Sequence, residues 1–228
     1  MLELERVLVV YPDYRLRATL KVPTGAHVAV VGPSGAGKST FLAAIAGFET
    51  SEGRVLWDRQ DLSGTRPGAR PFSMLFQDNN LFPHLTAFEN VALGISPSLR
   101  LTAAEKARVE AALARVGLTG FEARKPAQLS GGQQGRVAIA RVLVQGRALI
   151  LLDEPFAALG PALRAEMLEL VRSTARESGA TVLLVTHDLA EAARMPLMIL
   201  VANGAAEPPA DSAALLANPP EALKGWMG

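Results

Sequence analysis

Residues 28–40 read Val28-Ala29-Val30-Val31-Gly32-Pro33-Ser34-Gly35-Ala36-Gly37-Lys38-Ser39-Thr40: an apolar run, a glycine-rich turn, then the helix-forming stretch Phe41 to Gly47. The turn fits G-x-x-x-x-G-K-[ST], and a strand before it with a helix after it is the context that motif needs. Glycine lets backbone N–H groups face phosphate oxygens with no Cβ in the way, and the helix N-terminus adds positive partial charge. Gly32, Pro33, Ser34, Gly35, Ala36, Gly37, Lys38, Ser39 and Thr40 are therefore the candidate phosphate cradle. Lys38 is placed to reach the β- and γ-phosphates, and Ser39 to put its hydroxyl on Mg²⁺.

Two more continuous apolar runs, Ala148 to Leu152 and Val182 to Val185, have the character of parallel strands covered on both faces. They end in Asp153-Glu154-Pro155 and Thr186-His187-Asp188, and ligands in open parallel sheets lie beyond the carboxyl ends of strands. The three polar ends are thus expected at one edge. Mg²⁺ takes only one or two carboxylates, which suits Asp153 as its ligand, directly or through water, and leaves Glu154 as general base for the attacking water. His187 is expected to meet the γ-phosphate or that water. Gln77, neutral and long, follows the apolar run Phe72 to Phe76 and could reach Mg²⁺ or water, although any loop glutamine has this appearance.

Around this core, Leu16, Ala18, Leu20 and Val22 alternate with Arg15, Arg17, Thr19 and Lys21, the period of a strand with one wet face. Residues of about 78–145 carry helix signals and read as an inserted helical subdomain; Thr102 and Glu105 form a capping box, and Gly117 stands where that helix should stop. A helix starts at Pro161, with Leu163, Met167, Leu170, Val171 and Thr174 on one side, and stops at Gly179. Short helices fill 211–228. The expected fold class is α/β: a P-loop nucleoside-triphosphatase core with a mainly parallel sheet, an N-terminal antiparallel β subdomain and the helical insert, all in one domain spanning 1–228.

Leu129-Ser130-Gly131-Gly132-Gln133 is at its simplest another capping box, with Ser130 and Gln133 reciprocating at the start of a helix. Two glycines in a first helical turn cost about 1 kcal/mol each relative to alanine, and what they offer is exposed N–H groups at a positive helix end. A second anion site in a chain with one phosphate loop is most economically assigned to a neighbour's nucleotide across a twofold axis.

The chain has 228 residues, 49% hydrophobic and 20% charged, enough for a real core. A net charge of +1 without runs of like charge gives nucleic acid no handle. The absence of cysteine excludes disulfides, thiolate metal sites and a cysteine nucleophile. The opening MLELER is acidic where a secretory leader would be basic, so the cytoplasm is expected, and no apolar stretch nears the ~20 residues of a membrane span.

Gly32 to Thr40, Leu129 to Gln133 upstream of Leu149-Ile150-Leu151-Leu152-Asp153-Glu154-Pro155, Gln77 after a strand, and Thr186-His187-Asp188, in this order and spacing, resemble the ATP-binding subunits of ABC transporters over nearly the entire chain. The resemblance implies two cassettes sandwiching two ATP with Mg²⁺, each nucleotide between one subunit's phosphate loop and the other's Ser130, Gly131, Gly132 and Gln133. It also implies that Tyr11 stacks on adenine, although Tyr14 lies close enough in sequence to take that role. The implied partners are a transmembrane permease, a second copy of the chain and, indirectly, a periplasmic binding protein. The implied place is the cytoplasmic face of the inner membrane, held there by the permease. The segment Ser73 to Leu101 is similar to the thiamine-importer branch of the family.

Two departures stand out: Ala157-Ala158-Leu159-Gly160 where the family usually reads S-A-L-D, and Gln134-Gly135-Arg136 where it usually reads R-Q-R. The alternatives are a soluble ABC-class ATPase of DNA repair or translation, which usually brings coiled coils, paired cassettes or basic arms, and a small-molecule P-loop kinase, which leaves the double glycine unexplained.

Overall fold

The computed structural model describes residues 1–227, with side chains through residue 224. It has two compact units: Met1–Phe72 with Ala148–Asp153 and the chain from Gly179 onward, and Ser73–Arg147 with Glu154–Ser178. The strands are β1 (Leu2–Tyr11), β2 (Tyr14–Val22), β3 (His27–Val31), β4 (Glu52–Trp57), β5 (Gln60–Asp61), β6 (Phe72–Leu75), β7 (Leu149–Asp153), β8 (Thr181–Val185), β9 (Leu197–Ala202), β10 (Ala205–Ala206) and β11 (Ala210–Asp211). The helices are α1 (Lys38–Ala46), α2 (Ala87–Ala92), α3 (Ala103–Arg115), α4 (Gly131–Val144), α5 (Pro161–Ser178), α6 (Leu189–Ala193), α7 (Ser212–Ala217) and α8 (Glu221–Met227).

In the first unit the strand order is β5-β4-β1-β2-β10-β9-β3-β8-β7, with β11 on β9. Strands β9, β3, β8 and β7 are mutually parallel, while β5, β4, β1 and β2 form the antiparallel N-terminal part. The two parts are joined through β10, parallel to β2 and antiparallel to β9. This is the expected α/β class. Every residue of β3, β7 and β8 is buried, which is why these segments read as unbroken apolar runs rather than alternating ones.

Strand β1 contains a turn of parity that alternation alone would miss. Leu2 and Leu4 are buried, then Val7 and Val9, so the inward set changes from even to odd positions. A register shift between Leu4 and Val7 makes this possible, with Arg6 at φ 49°. Without such a bulge a period of two would turn both valines to water. Gly53 on β4 fits against it; a Cβ there would lie 2.2 Å from the Arg6 carbonyl oxygen.

Helix α1 ends at Gly47 (φ 84°), and the buried Arg70 guanidinium donates to the carbonyls of Ala44 and Ile45, a cation on a negative helix end. The second unit repeats the device. Arg136 of α4 donates to the carbonyls of Val116 and Gly117 just past α3, and Arg108 of α3 donates to Val144 at the end of α4. Thr86–Glu89 and Thr102–Glu105 are complete capping boxes starting α2 and α3. In α5 the buried residues are Met167, Leu168, Val171 and Ala175, so the buried stripe is rotated from the one expected, with Leu163, Leu170 and Thr174 only half-buried.

Candidate nucleotide site

The site in the first unit is built on three adjacent parallel strands. Val30, Val185 and Asp153 are paired in one row across β3, β8 and β7. Gly32 and His187 each lie two residues past that row, so the phosphate loop, Asp153 and His187 leave the sheet at one edge, as the ends of the three apolar runs predict. Asp153 is buried as the last residue of β7, while His187 is exposed. The turn bearing His187 is braced: Thr186 Oγ1 donates to Glu191 Oε2 at 2.5 Å, and Asp188 caps α6 through the N–H groups of Ala190 and Glu191.

The loop itself shows why its glycines are glycines. Gly32 sits at φ 148°, and a Cβ there would lie 2.0 Å from the Val201 carbonyl oxygen of β9. Gly37 occupies the N-cap of α1 at φ 92°, where a Cβ would come 1.8 Å from the Tyr14 hydroxyl. No side chain caps α1 and no acidic residue stands in its first turn, so its leading N–H groups are left for an anion. Lys38 is buried, with Nζ donating to the carbonyls of Gly32 and Pro33, each at 2.9 Å. The lysine thus spans the cradle where phosphates belong. Ser39 is exposed and Thr40 half-buried on the opening turn.

Sequence reading missed the second support of this loop. Tyr14 donates its hydroxyl to the Ala36 carbonyl at 2.6 Å, and burial pushes its phenol above the ordinary value. Tyr14 is committed to holding the loop. Tyr11, with 39% of its surface exposed, remains available for stacking; its centroid lies 6.5 Å from that of Tyr14, with the planes 34° apart. Glu49 accepts the Tyr11 hydroxyl, which raises that phenol too.

In the second unit, Glu154 follows β7 with φ 47°, a left-handed conformation uncommon for a side chain of this size. Gln77 is exposed in the turn after β6. Ser130 caps α4, accepting from Gln133 N at 3.3 Å, and Ser130 N donates to Gln133 Oε1 at 2.8 Å. Packing does not demand both adjacent glycines: a Cβ at Gly131 would meet only Ala158 Cβ, at 3.9 Å, whereas at Gly132 it would press on Leu159 Cδ2 at 3.2 Å.

Sheet, loop and lysine define a P-loop nucleoside triphosphatase. The ABC transporter family matches residues 16–157. The thiamine import ATP-binding proteins ThiQ of Cereibacter sphaeroides and of a Ruegeria species are 57% and 56% identical to this chain, each over the whole of both chains. The ThiQ of Brucella suis is 50% identical, over 96% of this chain and 92% of its own. Among solved structures, the dimeric bacterial ABC transporter cassette MJ0796 superimposes with a TM-score of 0.84 at 32% identity, over 93% of this chain and 99% of that one. The same cassette in a dimeric post-hydrolysis state bound to ADP and Pi gives the same values. The chain belongs to the ABC transporter family, as an ATP-binding subunit with ATPase activity.

Proposed function

We propose that this chain is the ATPase that powers thiamine import, working as one of two identical cassettes on a separate membrane-spanning subunit. The observation that carries the chemistry is the cradle: uncapped α1, glycines that a Cβ would block, and Lys38 bridging the loop. The cargo rests on the full-length likeness to thiamine import ATP-binding proteins. Among the described residues no helix is long and apolar enough to cross a membrane, which supports a separate permease.

In this reading the N–H groups of Gly32 to Thr40 and the Lys38 ammonium hold the phosphates. Tyr11 stacks on adenine, and Ser130, Gly131, Gly132 and Gln133 close on the γ-phosphate held by the second copy. The slack at Gly131 supports this, because a Cβ there would make only an ordinary contact with Ala158, so packing within the second unit does not demand the glycine. Ser39 and Asp153 offer hard oxygens of the kind Mg²⁺ prefers, with Gln77 as a further oxygen ligand. No group of three or more His, Asp or Glu among the described residues could hold a metal unaided, which fits an ion that takes its other ligands from phosphate and water. When bound, Mg²⁺ would neutralise charge on the phosphate oxygens. Glu154 would take the proton of the attacking water, and His187 would hydrogen-bond a γ-phosphate oxygen or that water.

The permease would dock on a groove of about 310 Å³ in the second unit, whose lining includes Phe76, Phe82, Leu93, Ile95 and Arg141. Phe82 is 45% exposed there, an apolar side chain suited to receive a segment of the membrane subunit. A periplasmic binding protein would deliver cargo on the far side, which places this chain at the cytoplasmic face.

The test is co-purification with a polytopic membrane protein, followed by reconstitution of the pair in vesicles. ATP-dependent uptake of labelled thiamine is the expected result. Purification without any membrane partner, or uptake of other solutes but not thiamine, would overturn the reading.

A further inference from the structure

Arg6, Arg15 and Arg17 are scattered in sequence, and alternation with apolar residues hides them as a cluster. The β1–β2 pairing brings them together. Arg17 pairs with Leu8 and Arg15 with Val10, which places both on the exposed face, whereas Leu16 and Ala18 between and beside them are buried. The bulge adds Arg6: at φ 49° it is exposed, and its N–H donates to Thr19 Oγ1 at 3.2 Å. These residues line a concavity of about 520 Å³ with Val7, Leu8, Thr19 and the β9–β10 turn at Asn203 and Gly204. It lies on the opposite face of the hairpin from the buried side that carries Tyr14.

Among the described residues no carboxylate answers the three guanidinium groups. On the same sheet Glu5 pairs with Arg54 and Glu3 with Lys21, while Glu52 stands opposite Leu8. None of the arginine side chains has a hydrogen bond or ion pair among the described residues. Converging like charges are unfavourable unless an anion offsets them, and planar guanidinium forks match the oxygens of phosphate. The volume falls in the range of small-molecule sites, roughly 300–1,000 Å³. Leu8, half-buried on the same face, adds an apolar surface beside the charges.

We propose that this concavity is a second anion site, separate from the nucleotide cradle, which takes a phosphate ester with Arg6, Arg15 and Arg17 as its ligands and an apolar or neutral body over Leu8. The phosphate could belong to a soluble metabolite or to a phospholipid headgroup, and the chemistry of recognition is common to both.

The experiment uses the full chain with its nucleotide cradle saturated by a non-hydrolysable ATP analogue. Inorganic pyrophosphate is titrated by calorimetry at fixed ionic strength, and flotation with vesicles of anionic phosphatidylglycerol in phosphatidylcholine runs in parallel. One further binding event with either probe is expected. It should weaken at least tenfold in Arg15→Gln/Arg17→Gln, with ATPase rate and circular dichroism unchanged, and tenfold again with Arg6→Gln added. Pyrophosphate binding points to a soluble ligand and flotation alone to a headgroup; both uphold the site. Absence of a second event with both probes, or binding undiminished in the double variant, would overturn it. Should the double variant lose its fold, Arg15→Lys/Arg17→Lys, which keeps the charge but not the fork, must lower affinity with the native spectrum retained, or the site fails.

Discussion

The Tyr14 hydroxyl holds the Ala36 carbonyl at 2.6 Å, so the hairpin of β1 and β2 clamps the phosphate loop from below. A hydrogen bond of this kind contributes about 0.5–1.5 kcal/mol net. Tyr14→Phe should therefore weaken ATP binding by about two- to tenfold, through loosening of the loop. Tyr11→Phe keeps the stacking ring and should change little, whereas Tyr11→Ala should cost affinity. A nucleotide titration of the three variants checks this; equal losses in Tyr14→Phe and Tyr11→Phe would contradict the division of roles.

Binding and turnover should come apart at two residues. Lys38→Ala removes a charge-assisted contact of about 1.5–3 kcal/mol to phosphate, so affinity falls by roughly 10- to 150-fold. The variant also loses the bonds to Gly32 and Pro33, so its melting temperature without nucleotide should drop as well. Glu154→Gln should bind ATP normally, lose at least about 10²-fold in turnover and accumulate as an ATP-bound dimer. Hydrolysis at the parent rate would move the general-base role elsewhere, with His187 as the first alternative.

Gly160 stands where the family usually has Asp, and its carbonyl accepts from Arg164 N at 2.9 Å, which makes it the N-cap residue of α5. A Cβ there would meet nothing within 4 Å. Gly160→Asp should therefore fold and gain a few tenths of a kcal/mol, the usual margin of Asp over Gly at this position. If the family's carboxylate links the two nucleotide sites, the variant should also show a higher Hill coefficient of ATP hydrolysis and tighter ATP-dependent dimerisation, by the 1–3 kcal/mol typical of site coupling. Identical Hill coefficients would show that this loop does not couple the sites here.

Gly135 and Gly32 should respond oppositely to alanine. Gly135 lies inside α4, and an added Cβ would touch Asn79 Oδ1 at 3.6 Å and the Pro155 carbonyl at 3.9 Å, ordinary contacts. Gly135→Ala should stabilise the chain by about 0.5–1 kcal/mol, or about 1–4 °C in melting temperature. Gly32→Ala drives a Cβ into the Val201 carbonyl and should abolish nucleotide binding or folding. A lowered melting temperature in Gly135→Ala would mean that the family's bulkier residue is excluded here by packing.

Acid should reach the helical unit through its capping boxes. The Thr86 and Thr102 N–H groups donate to the Glu89 and Glu105 carboxylates and hold both below the usual glutamate range. A depressed folded value means the stabilisation is present above the unfolded value of about 4.3 and is lost as pH falls through the folded one. The melting-temperature gap between the parent and Glu89→Gln/Glu105→Gln should thus narrow below about pH 4. A gap constant from pH 3 to pH 7 would contradict this.

How far the fold could be read in advance followed the range of the interactions involved. Strands β3, β7 and β8 announce themselves because burial on both faces demands unbroken apolar runs, and α3 because Thr102 and Glu105 are three residues apart. The meeting of Gly32 to Thr40, Asp153 and His187 was legible because parallel strands deliver their ends to one edge. Tyr14 was not, since its partner Ala36 is 22 residues away and nothing local marks a tyrosine as a loop support. The glycine at position 32 owes its identity partly to Val201, a contact no motif contains. The bulge at Arg6 left a trace, Leu2 and Leu4 against Val7 and Val9, in the switch from even to odd positions.

Arg141 donates to the carbonyls of Asn79 at 2.8 Å and Asn80 at 2.8 Å, two residues with left-handed backbones just after Gln77. Nearby, the buried Asn90 bonds Phe82, Leu85 and Thr86, so the loop following Gln77 is stapled rather than slack. Arg141 sits ten residues beyond Gly131 on α4, about 15 Å along the axis at 1.5 Å per residue. Asn79 Oδ1 also comes within 3.6 Å of where a Gly135 Cβ would stand, so the loop lies along α4 from Arg141 back toward its first turn. The backbone after Gln77 is thus fastened to α4 at Arg141 and lies against it again near Gly135, so loop and helix share one scaffold.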